Sequence, residues 1–311
     1  MTANVEELLR PGNSNCAGCG MTLGLRWFGE ALAGKTPTLV IPPCCATVTA
    51  GLFPVTAYNA PAAATAFASP AAVATGFARV QHLNGERTPI VCWTGDGSTY
   101  DIGLATVSAA AERNEDIVYV CYDNEIYGNT GGQRSGATPR GAKTSTTPSG
   151  KPEPKKDMMA IMAAHRVPYA ATLSLAHRDD FLRKVQTALS LRGFRFLLML
   201  SPCPSGWKSE PEETVELVRL AVGSGLFPLY EVYDGCRYRI NAWPDGSQLD
   251  DYVSRQGRFK SKRLDVNTLR ADIAADWRRL EAMASAFPVE EGPSALQSEG
   301  TGGADACEGD S

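Results

Sequence analysis

The sequence reads GDGSTYDIG at residues 95–103 and YDNEIYGNTGG at residues 122–132, and these two stretches decide its fold. The apolar run PIVCW, at residues 89–93, predicts a buried strand just before the first stretch. Residues 100–112 have helical character, and the apolar run at residues 117–122 predicts a second buried strand. The predicted order is therefore strand, Gly-Asp-Gly turn, helix and strand, which is typical of a βαβ unit.

Asp96 and Asn124 each follow one of these two predicted strands. Because the strands of such a unit are parallel, both residues are expected at the carboxyl edge of one sheet, where open α/β sheets bind ligands. A carboxylate and an amide oxygen suit Mg²⁺, which completes its octahedron with phosphate oxygens and water. Gly95 and Gly97 would let a diphosphate approach the backbone, and the helix N-terminus favours its charge. The sequence thus predicts a magnesium–diphosphate site.

The composition indicates an ordinary globular protein of one large domain or two. The chain has 311 residues, of which 43% are hydrophobic and 21% are charged, with a net charge of −4. No basic stripe with interleaved aromatic residues is present in the sequence, so we expect no nucleic-acid partner. Residues 1–10 are polar and do not resemble a signal peptide, and the apolar stretch at residues 60–80 is too weak and broken for a membrane span. We expect a cytoplasmic protein that does not contact a membrane.

The rest of the chain alternates between helical and strand patterns, which predicts an α/β fold with a doubly wound parallel sheet. The predicted helices lie at residues 21–33, 71–82, 158–165, 179–191 and 212–222, and the predicted strands at residues 38–41, 169–173, 194–200 and 229–233. Residues 53–65 and 130–156 are expected to be loops. The second loop is unusually long and follows Asn124, so it is a candidate active-site loop, with a disordered excursion as the alternative.

The C-terminal part is expected to be a helical extension with a polar tail. An amphipathic helix is predicted to open at Asn267 and Thr268 and to close at Pro288. We predict an α/β domain at residues 1–245, the helical extension at residues 246–289 and a disordered tail at residues 290–311.

Four cysteines could meet near the same edge of the sheet. Cys16 and Cys19 share a glycine-rich loop, whereas Cys45 and Cys203 each follow a predicted strand. Four thiolates suit either zinc or an iron–sulfur cluster, and spacing alone leaves both open, together with the possibility of no metal. One CxxC motif with two distant cysteines is more typical of a cluster than of structural zinc. Cys44 competes with Cys45 as the third ligand.

With these residues in view, the chain resembles the β subunit of a 2-oxoacid:ferredoxin oxidoreductase, and most closely the pyruvate type. The resemblance covers residues 11–233 and implies a thiamine diphosphate-binding domain with a loop-borne [4Fe–4S] cluster. It rests on CAGCG at 16–20, LFPVTAY at 52–58, GDGSTYDIG at 95–103, YDNEIYGNTGGQRSGATP at 122–139 and PCPSGW at 202–207.

The resemblance implies a ligand set for the cluster. The cluster cysteines of the family fall on Cys16, Cys19, Cys45 and Cys203. The family often has a residue other than cysteine at the position of Cys44, and the LFPVTAY motif fixes the register in favour of Cys45.

The resemblance also assigns residues to thiamine diphosphate and Mg²⁺. The Mg²⁺ contacts carry over onto Asp96, Asn124 and the backbone carbonyl of Ile126. Asn129 matches a residue that reaches the reacting end of the cofactor, and Thr130 matches a diphosphate contact. Further expected cofactor contacts are Gly20, Cys45, Gly95, Gly97 and Ser98.

The implied activity is the oxidative decarboxylation of a 2-oxo acid, pyruvate by default, with electrons passing through the cluster to ferredoxin and usually with coenzyme A as acceptor. Oxalate or another 2-oxo acid is an alternative substrate. The sequence contains no stretch that reads as a pyrimidine-binding domain. We therefore expect an α-type partner subunit that supplies the missing glutamate, and γ and δ ferredoxin-like subunits. Two other hypotheses stay open: half of a non-redox thiamine diphosphate enzyme with a zinc site, and a non-catalytic scaffold.

Overall fold

Buried apolar strands form one mixed sheet at the centre of the molecule. The computed structural model of the chain describes residues 7–51, 54–246 and 249–289. Within these residues the sheet has eight strands, in the spatial order β2-β1-β3-β4-β6-β5-β7-β8. The strands are β1 (Thr38–Ile41), β2 (Ala62–Ala64), β3 (Ile90–Gly95), β4 (Ile117–Asp123), β5 (Tyr169–Leu173), β6 (Phe194–Leu200), β7 (Leu229–Tyr233) and β8 (Arg237–Ala242).

Strands β1 to β6 run parallel to one another, whereas the pairings of β7 are antiparallel. β7 pairs antiparallel with β5, and β8 pairs antiparallel with β7. The prediction of a wholly parallel, doubly wound sheet is therefore wrong at this edge. The physical reason for the β7–β8 pairing is its short turn, in which Asp234 and Gly235 have φ angles of 53° and 72°. A turn this tight can join only antiparallel strands, whereas parallel strands need a long crossover.

The helices pack on the sheet and on one another. They are α1 (Gly20–Ala31), α2 (Cys45–Ala50), α3 (Pro70–Leu83), α4 (Leu104–Glu112), α5 (Met158–Ala164), α6 (Arg178–Ser190), α7 (Pro204–Trp207), α8 (Thr214–Gly223), α9 (Leu249–Ser254) and α10 (Val266–Ala286). α1 packs on α6, and α3 packs on α4 and β3. α1 buries Met21, Leu25 and Phe28 because their spacing places them on one face. None of the helices in the described part of the chain is long and apolar enough to cross a membrane.

Two local predictions were wrong, and the start of the C-terminal helix lies slightly earlier than predicted. The expected loop at residues 53–65 contains β2, three alanines that carry no strand signal. The expected helix at residues 100–112 is divided into the end of a π-helical turn, Gly97–Asp101, and α4; a Cβ atom at Gly103, between them, would lie 2.0 Å from the Ser98 carbonyl oxygen, so the junction requires glycine. α10 is capped by Asp265, whose side chain accepts hydrogen bonds from the backbone of Asn267 and the hydroxyl of Thr268.

Residues 130–156 contain no helix or strand in the structure, as predicted, but the segment packs into the fold. Ser135, Thr138 and Lys151 within it are fully buried. The alternative of a disordered excursion is therefore wrong for this segment. The predicted tail at residues 290–311 lies outside the described residues, and the division of the chain at residue 245 stays a prediction.

Glu231 anchors the antiparallel edge of the sheet. Its buried carboxylate accepts hydrogen bonds from Tyr169 at 2.7 Å, from Asn241 at 2.6 Å and from Arg183 at 2.9 and 3.0 Å. Burial alone would raise the pKa of Glu231, but hydrogen bonds from Arg183, Tyr169 and Asn241 outweigh it and lower the pKa to about 2. The ionised form therefore stabilises the pairing of β5, β7 and β8.

We predict that Glu231 makes folding sensitive to acid. Because its folded pKa of about 2 lies below the ordinary value of 4.5, its contribution is complete above pH 4.5 and is lost as the pH falls towards 2. Glu231→Gln should lower the free energy of unfolding at pH 7 by about 3 kcal/mol and flatten its decline below pH 4.5. Urea unfolding at several pH values measures both effects, and parallel pH profiles for the two proteins would contradict the assignment.

Candidate active site

Asp96 and Asn124 leave two neighbouring strands at the same edge of the sheet. β3 and β4 pair in parallel with Gly95 opposite Tyr122, so the residues that follow come out side by side. Both side chains are buried, with exposed fractions of 3% and 7%. The predicted meeting of these two residues is therefore confirmed at the level of topology.

Asp96 is a buried carboxylate whose negative charge a cation could compensate. It accepts a hydrogen bond of 2.6 Å from the Ser135 hydroxyl. Burial raises its pKa well above the ordinary range, and the neighbouring Asp123 carboxylate raises it further. A divalent cation beside Asp96 would reverse both effects, because it compensates the buried negative charge.

The oxygen atoms around this edge fit Mg²⁺. The Asn124 side-chain oxygen accepts only a long hydrogen bond, 3.3 Å, from the Ile126 backbone amide. One carboxylate, one amide oxygen and one backbone carbonyl form an all-oxygen donor set of the kind Mg²⁺ takes with phosphate and water. Among the described residues, no group of three or more His, Cys, Asp or Glu side chains is arranged to hold a metal ion. A site with a single carboxylate does not need such a group.

An aromatic ring covers Gly97. A Cβ atom at this position would lie 2.0 Å from a ring carbon of Tyr127, so only glycine fits. The Tyr127 hydroxyl donates to Asp101 at 2.7 Å, and its ring packs edge-on against Phe67. The Ser98 hydroxyl is fully buried and donates to the Phe67 carbonyl. The expected contacts of Gly97 and Ser98 with a diphosphate stay predictions.

Four charged residues beside this edge form a buried network that the sequence did not predict. Lys155 contacts the carboxylates of Asp123 at 2.5 Å and Glu125 at 2.7 Å, and Arg258 contacts Glu125 at 2.7 Å. Asp123, Glu125 and Arg258 are each no more than 5% exposed. Burial raises the pKa of Glu125, but Lys155 and Arg258 outweigh it and lower the pKa below its ordinary value. The network therefore balances two buried carboxylates with two cations.

A signal for this network was present in the sequence. The run YDNE at residues 122–125 places two acids directly after a buried strand, and buried acids require partners. Their lysine partner comes from the loop at residues 130–156. The partner Arg258 is 133 positions away, and nothing in its local sequence indicates the pairing.

Three of the four cysteines assigned to the cluster by resemblance lie at the starts of helices. Cys19 precedes α1, Cys45 is the first residue of α2, and Cys203 precedes α7. The loops are tied together by a hydrogen bond of 3.2 Å from the Gly20 amide to the Pro202 carbonyl. Burial raises the pKa of the Cys19 thiol, so its position before a helix does not by itself favour the thiolate form.

Three of the four cysteines influence one another electrostatically. Burial raises the pKa of Cys45 to about 12, with further increases from Cys19, Cys203 and Cys44. The Cys44 thiol instead neighbours Tyr122 and Thr47. Cys16 is exposed on the loop before α1, and its backbone carbonyl accepts from the Cys19 amide at 3.2 Å. Four thiols are the donors that an iron–sulfur cluster takes, but among the described residues no three cysteines are arranged to hold a metal, so the cluster site stays a prediction.

Asn129 lies in the turn region after β4 and contacts one of the four cysteines. Its side-chain amide contacts the Cys45 sulfur at 3.4 Å. Thr130, the next residue, donates to the Gln133 side chain at 2.6 Å. Asn129 and Thr130 are exposed, so their side chains are open to ligands at this edge.

Comparisons with known proteins agree on the family and the fold of the chain. Residues 44–199 match the family described as "Thiamine pyrophosphate enzyme, C-terminal TPP binding domain". The chain is 40% identical over 302 residues to the ketoisovalerate oxidoreductase subunit VorB of Pyrococcus furiosus, which covers 92% of this chain and 96% of that relative. It is 44% identical over 262 residues to the pyruvate synthase subunit PorB of Methanothermobacter marburgensis, which covers 82% and 90%.

A solved structure has the same fold. The 2-oxoglutarate:ferredoxin oxidoreductase from Magnetococcus marinus matches with a TM-score of 0.59 and 22% sequence identity. The match covers 79% of this chain and 89% of that chain. At this identity the likeness establishes the architecture and leaves the chemistry to the residues of the site.

Proposed function

The chain belongs to the family of 2-oxoacid:ferredoxin oxidoreductase β subunits, and we propose that it binds thiamine diphosphate, Mg²⁺ and a [4Fe–4S] cluster along one edge of its sheet. It works as part of a multi-subunit enzyme. The observation that carries the proposal is the contact between Asn129 and Cys45, at 3.4 Å. Asn129, which is assigned to the reacting end of the cofactor, touches Cys45, which is assigned to the cluster. This arrangement suits an enzyme in which electrons pass directly from cofactor to cluster.

The proposed substrate is a 2-oxo acid. Pyruvate is the first candidate, because relatives named pyruvate synthase subunits are up to 44% identical to the chain. 2-Ketoisovalerate is the second candidate, because relatives named ketoisovalerate oxidoreductase subunits are 40% identical over 302 residues, which cover 92% of the chain. Both acids share the carboxylate and keto group on which the reaction depends.

The residues of this chain hold and orient the groups that react. Thiamine diphosphate, when bound, supplies the nucleophilic carbon and the electron sink for decarboxylation. Asp96, Asn124 and the Ile126 carbonyl would hold Mg²⁺ against the diphosphate, where Thr130 adds a contact. Asn129 would face the reacting carbon. Four cysteines would hold the cluster that passes electrons to ferredoxin, namely Cys16, Cys19, Cys45 and Cys203.

We further propose that an α-type subunit covers the pyrimidine and supplies the activating glutamate. The exposed Asn129 and Thr130 support an open edge that a partner can complete. Ferredoxin-like γ and δ subunits, coenzyme A and a cytoplasmic location belong to the same proposal. A structural zinc site and a scaffold role are the competing hypotheses, which iron and thiamine diphosphate contents of the purified complex would distinguish.

Replacing Asp96 by Ala should abolish retention of thiamine diphosphate. The change removes the carboxylate that would bind the bridging cation, so the diphosphate charge is no longer compensated. Asn124→Ala should weaken binding by about tenfold, since a neutral oxygen contributes less than a charged one. Cofactor content after gel filtration of the complex measures both. A normal content in the Asp96 variant would disprove the assignment.

Cys45→Ala should lose or degrade the cluster, whereas Cys44→Ala should keep it. The reason is that Cys45 interacts with Cys19 and Cys203, while Cys44 neighbours Tyr122 and Thr47. Iron and sulfide content with the visible spectrum of anaerobically purified protein provides the measurement. Equal losses in the two variants would show that the chosen ligand is wrong.

The isolated chain should not sustain turnover, and addition of the α-type partner should restore it. Deprotonation of the cofactor requires a positioned carboxylate above the pyrimidine, which we assign to the partner. A steady-state assay of dye reduction, with and without the partner, tests this with pyruvate and with 2-ketoisovalerate. The ratio of the two kcat/KM values identifies the substrate. Sustained turnover by the chain alone would place the missing glutamate in this sequence.

A further inference from the structure

Glu125 has an unusual backbone conformation at a critical position. It lies between Asn124 and Ile126, the two proposed oxygen ligands in the turn that follows β4. Its φ angle is +63°, in the left-handed region that residues with a Cβ atom avoid. The Asp123 side chain accepts a hydrogen bond of 3.1 Å from the Glu125 amide. The direction in which the two ligands point therefore depends on a residue held in a disfavoured conformation.

Each carboxylate oxygen of Glu125 contacts a positively charged side chain. Lys155 contacts Oε1 at 2.7 Å, and Arg258 contacts Oε2 at 2.7 Å. The backbone carbonyl of Glu125 accepts from the Thr138 hydroxyl, also at 2.7 Å. The long loop supplies two of these three contacts, and the C-terminal segment supplies the third.

Arg258 is itself rigidly held. Its guanidinium stacks on the Trp207 ring at 3.6 Å and donates to Gln256 at 2.7 Å and to the Tyr252 hydroxyl at 3.0 Å. The Trp207 indole donates to the Asn124 carbonyl at 2.7 Å. The contacts of Arg258 therefore reach the ligand turn by two routes, through Glu125 and through Trp207.

We propose that Glu125 is a positioning residue, held by Lys155 and Arg258, that aims Asn124 and the Ile126 carbonyl at the cation. Because Lys155 already neutralises Asp123, Asp96 is the carboxylate that remains available to the cation. This inference rests on the proposed function. It adds that the long loop and the C-terminal segment act through Glu125 on metal affinity.

The test measures Mn²⁺, in place of Mg²⁺, in the assembled complex freed of thiamine diphosphate and divalent cations. Glu125→Gly accommodates the positive φ angle but removes the carboxylate, so it separates the side-chain contacts from the backbone conformation. We expect Mn²⁺ binding in the presence of thiamine diphosphate to weaken about 10- to 100-fold, as for other residues that orient metal ligands. The electron paramagnetic resonance spectrum of the bound Mn²⁺ should change, and KM for thiamine diphosphate should rise more than kcat falls.

Two further variants guard against simple misfolding. Arg258→Lys keeps the charge but not the stacking or the fork of hydrogen bonds, and should weaken Mn²⁺ binding by a smaller factor. Arg195→Met is the matched control, because Arg195 is also buried and pairs with Asp116 near the opposite, amino-terminal end of the strands. It should lower the thermal midpoint and leave Mn²⁺ affinity unchanged.

Two results would overturn the inference. The first is wild-type Mn²⁺ affinity in Glu125→Gly, which would mean that the left-handed turn alone aims the ligands. The second is an equal loss in Arg195→Met and Arg258→Lys, which would mean general destabilisation. Absence of thiamine diphosphate-dependent Mn²⁺ binding in the unaltered complex would instead contradict the proposed function itself.

Discussion

The burial of negative charge at the carboxyl edge of the sheet is the constraint on which the site depends. Asp96, Asp123 and Glu125 are all buried beside one another, and carboxylates in this position are tolerated only when paired. Lys155 and Arg258 pair with two of them. The third, Asp96, accepts a hydrogen bond from the Ser135 hydroxyl, and burial raises its pKa well above the ordinary range.

This constraint explains why residues 130–156 are ordered without a helix or strand. Side-chain hydrogen bonds hold the segment in place: the Ser135 hydroxyl donates to Asp96, and the Thr138 hydroxyl donates to the Glu125 carbonyl. The buried Lys151 ammonium donates to the Thr138 carbonyl at 2.7 Å and closes the segment on itself. The loop is therefore held by polar contacts with the carboxyl edge of the sheet and by contacts within itself.

The sequence allowed the prediction of the central fold because its buried strands are continuous apolar runs. Residues 169–173 and 194–200 were predicted with the observed bounds. Residues 62–64 escaped prediction because alanine has no preference for strands. The antiparallel edge escaped it because pairing direction depends on the turn at Asp234 rather than on the strands.

For the site, sequence reasoning identified Asp96 and Asn124 because each follows an apolar run, and topology then brings them together. Glu125 and Arg258 could not be paired in this way, because they are 133 positions apart and share no motif. Local sequence patterns predict the residues that follow a single strand. Long-range charge pairing follows from the complete fold and is visible only there.

The distance along the chain between Glu125 and Arg258 has a consequence for biosynthesis. Chains fold as they leave the ribosome, N-terminal part first, and the sheet strands up to β6 emerge well before Arg258 does. Until Arg258 arrives, Glu125 lacks one of its two cations, and the ligand turn is incompletely fixed. On the function proposed above, chains that end before Arg258 would hold this turn less firmly and bind the cofactor less well.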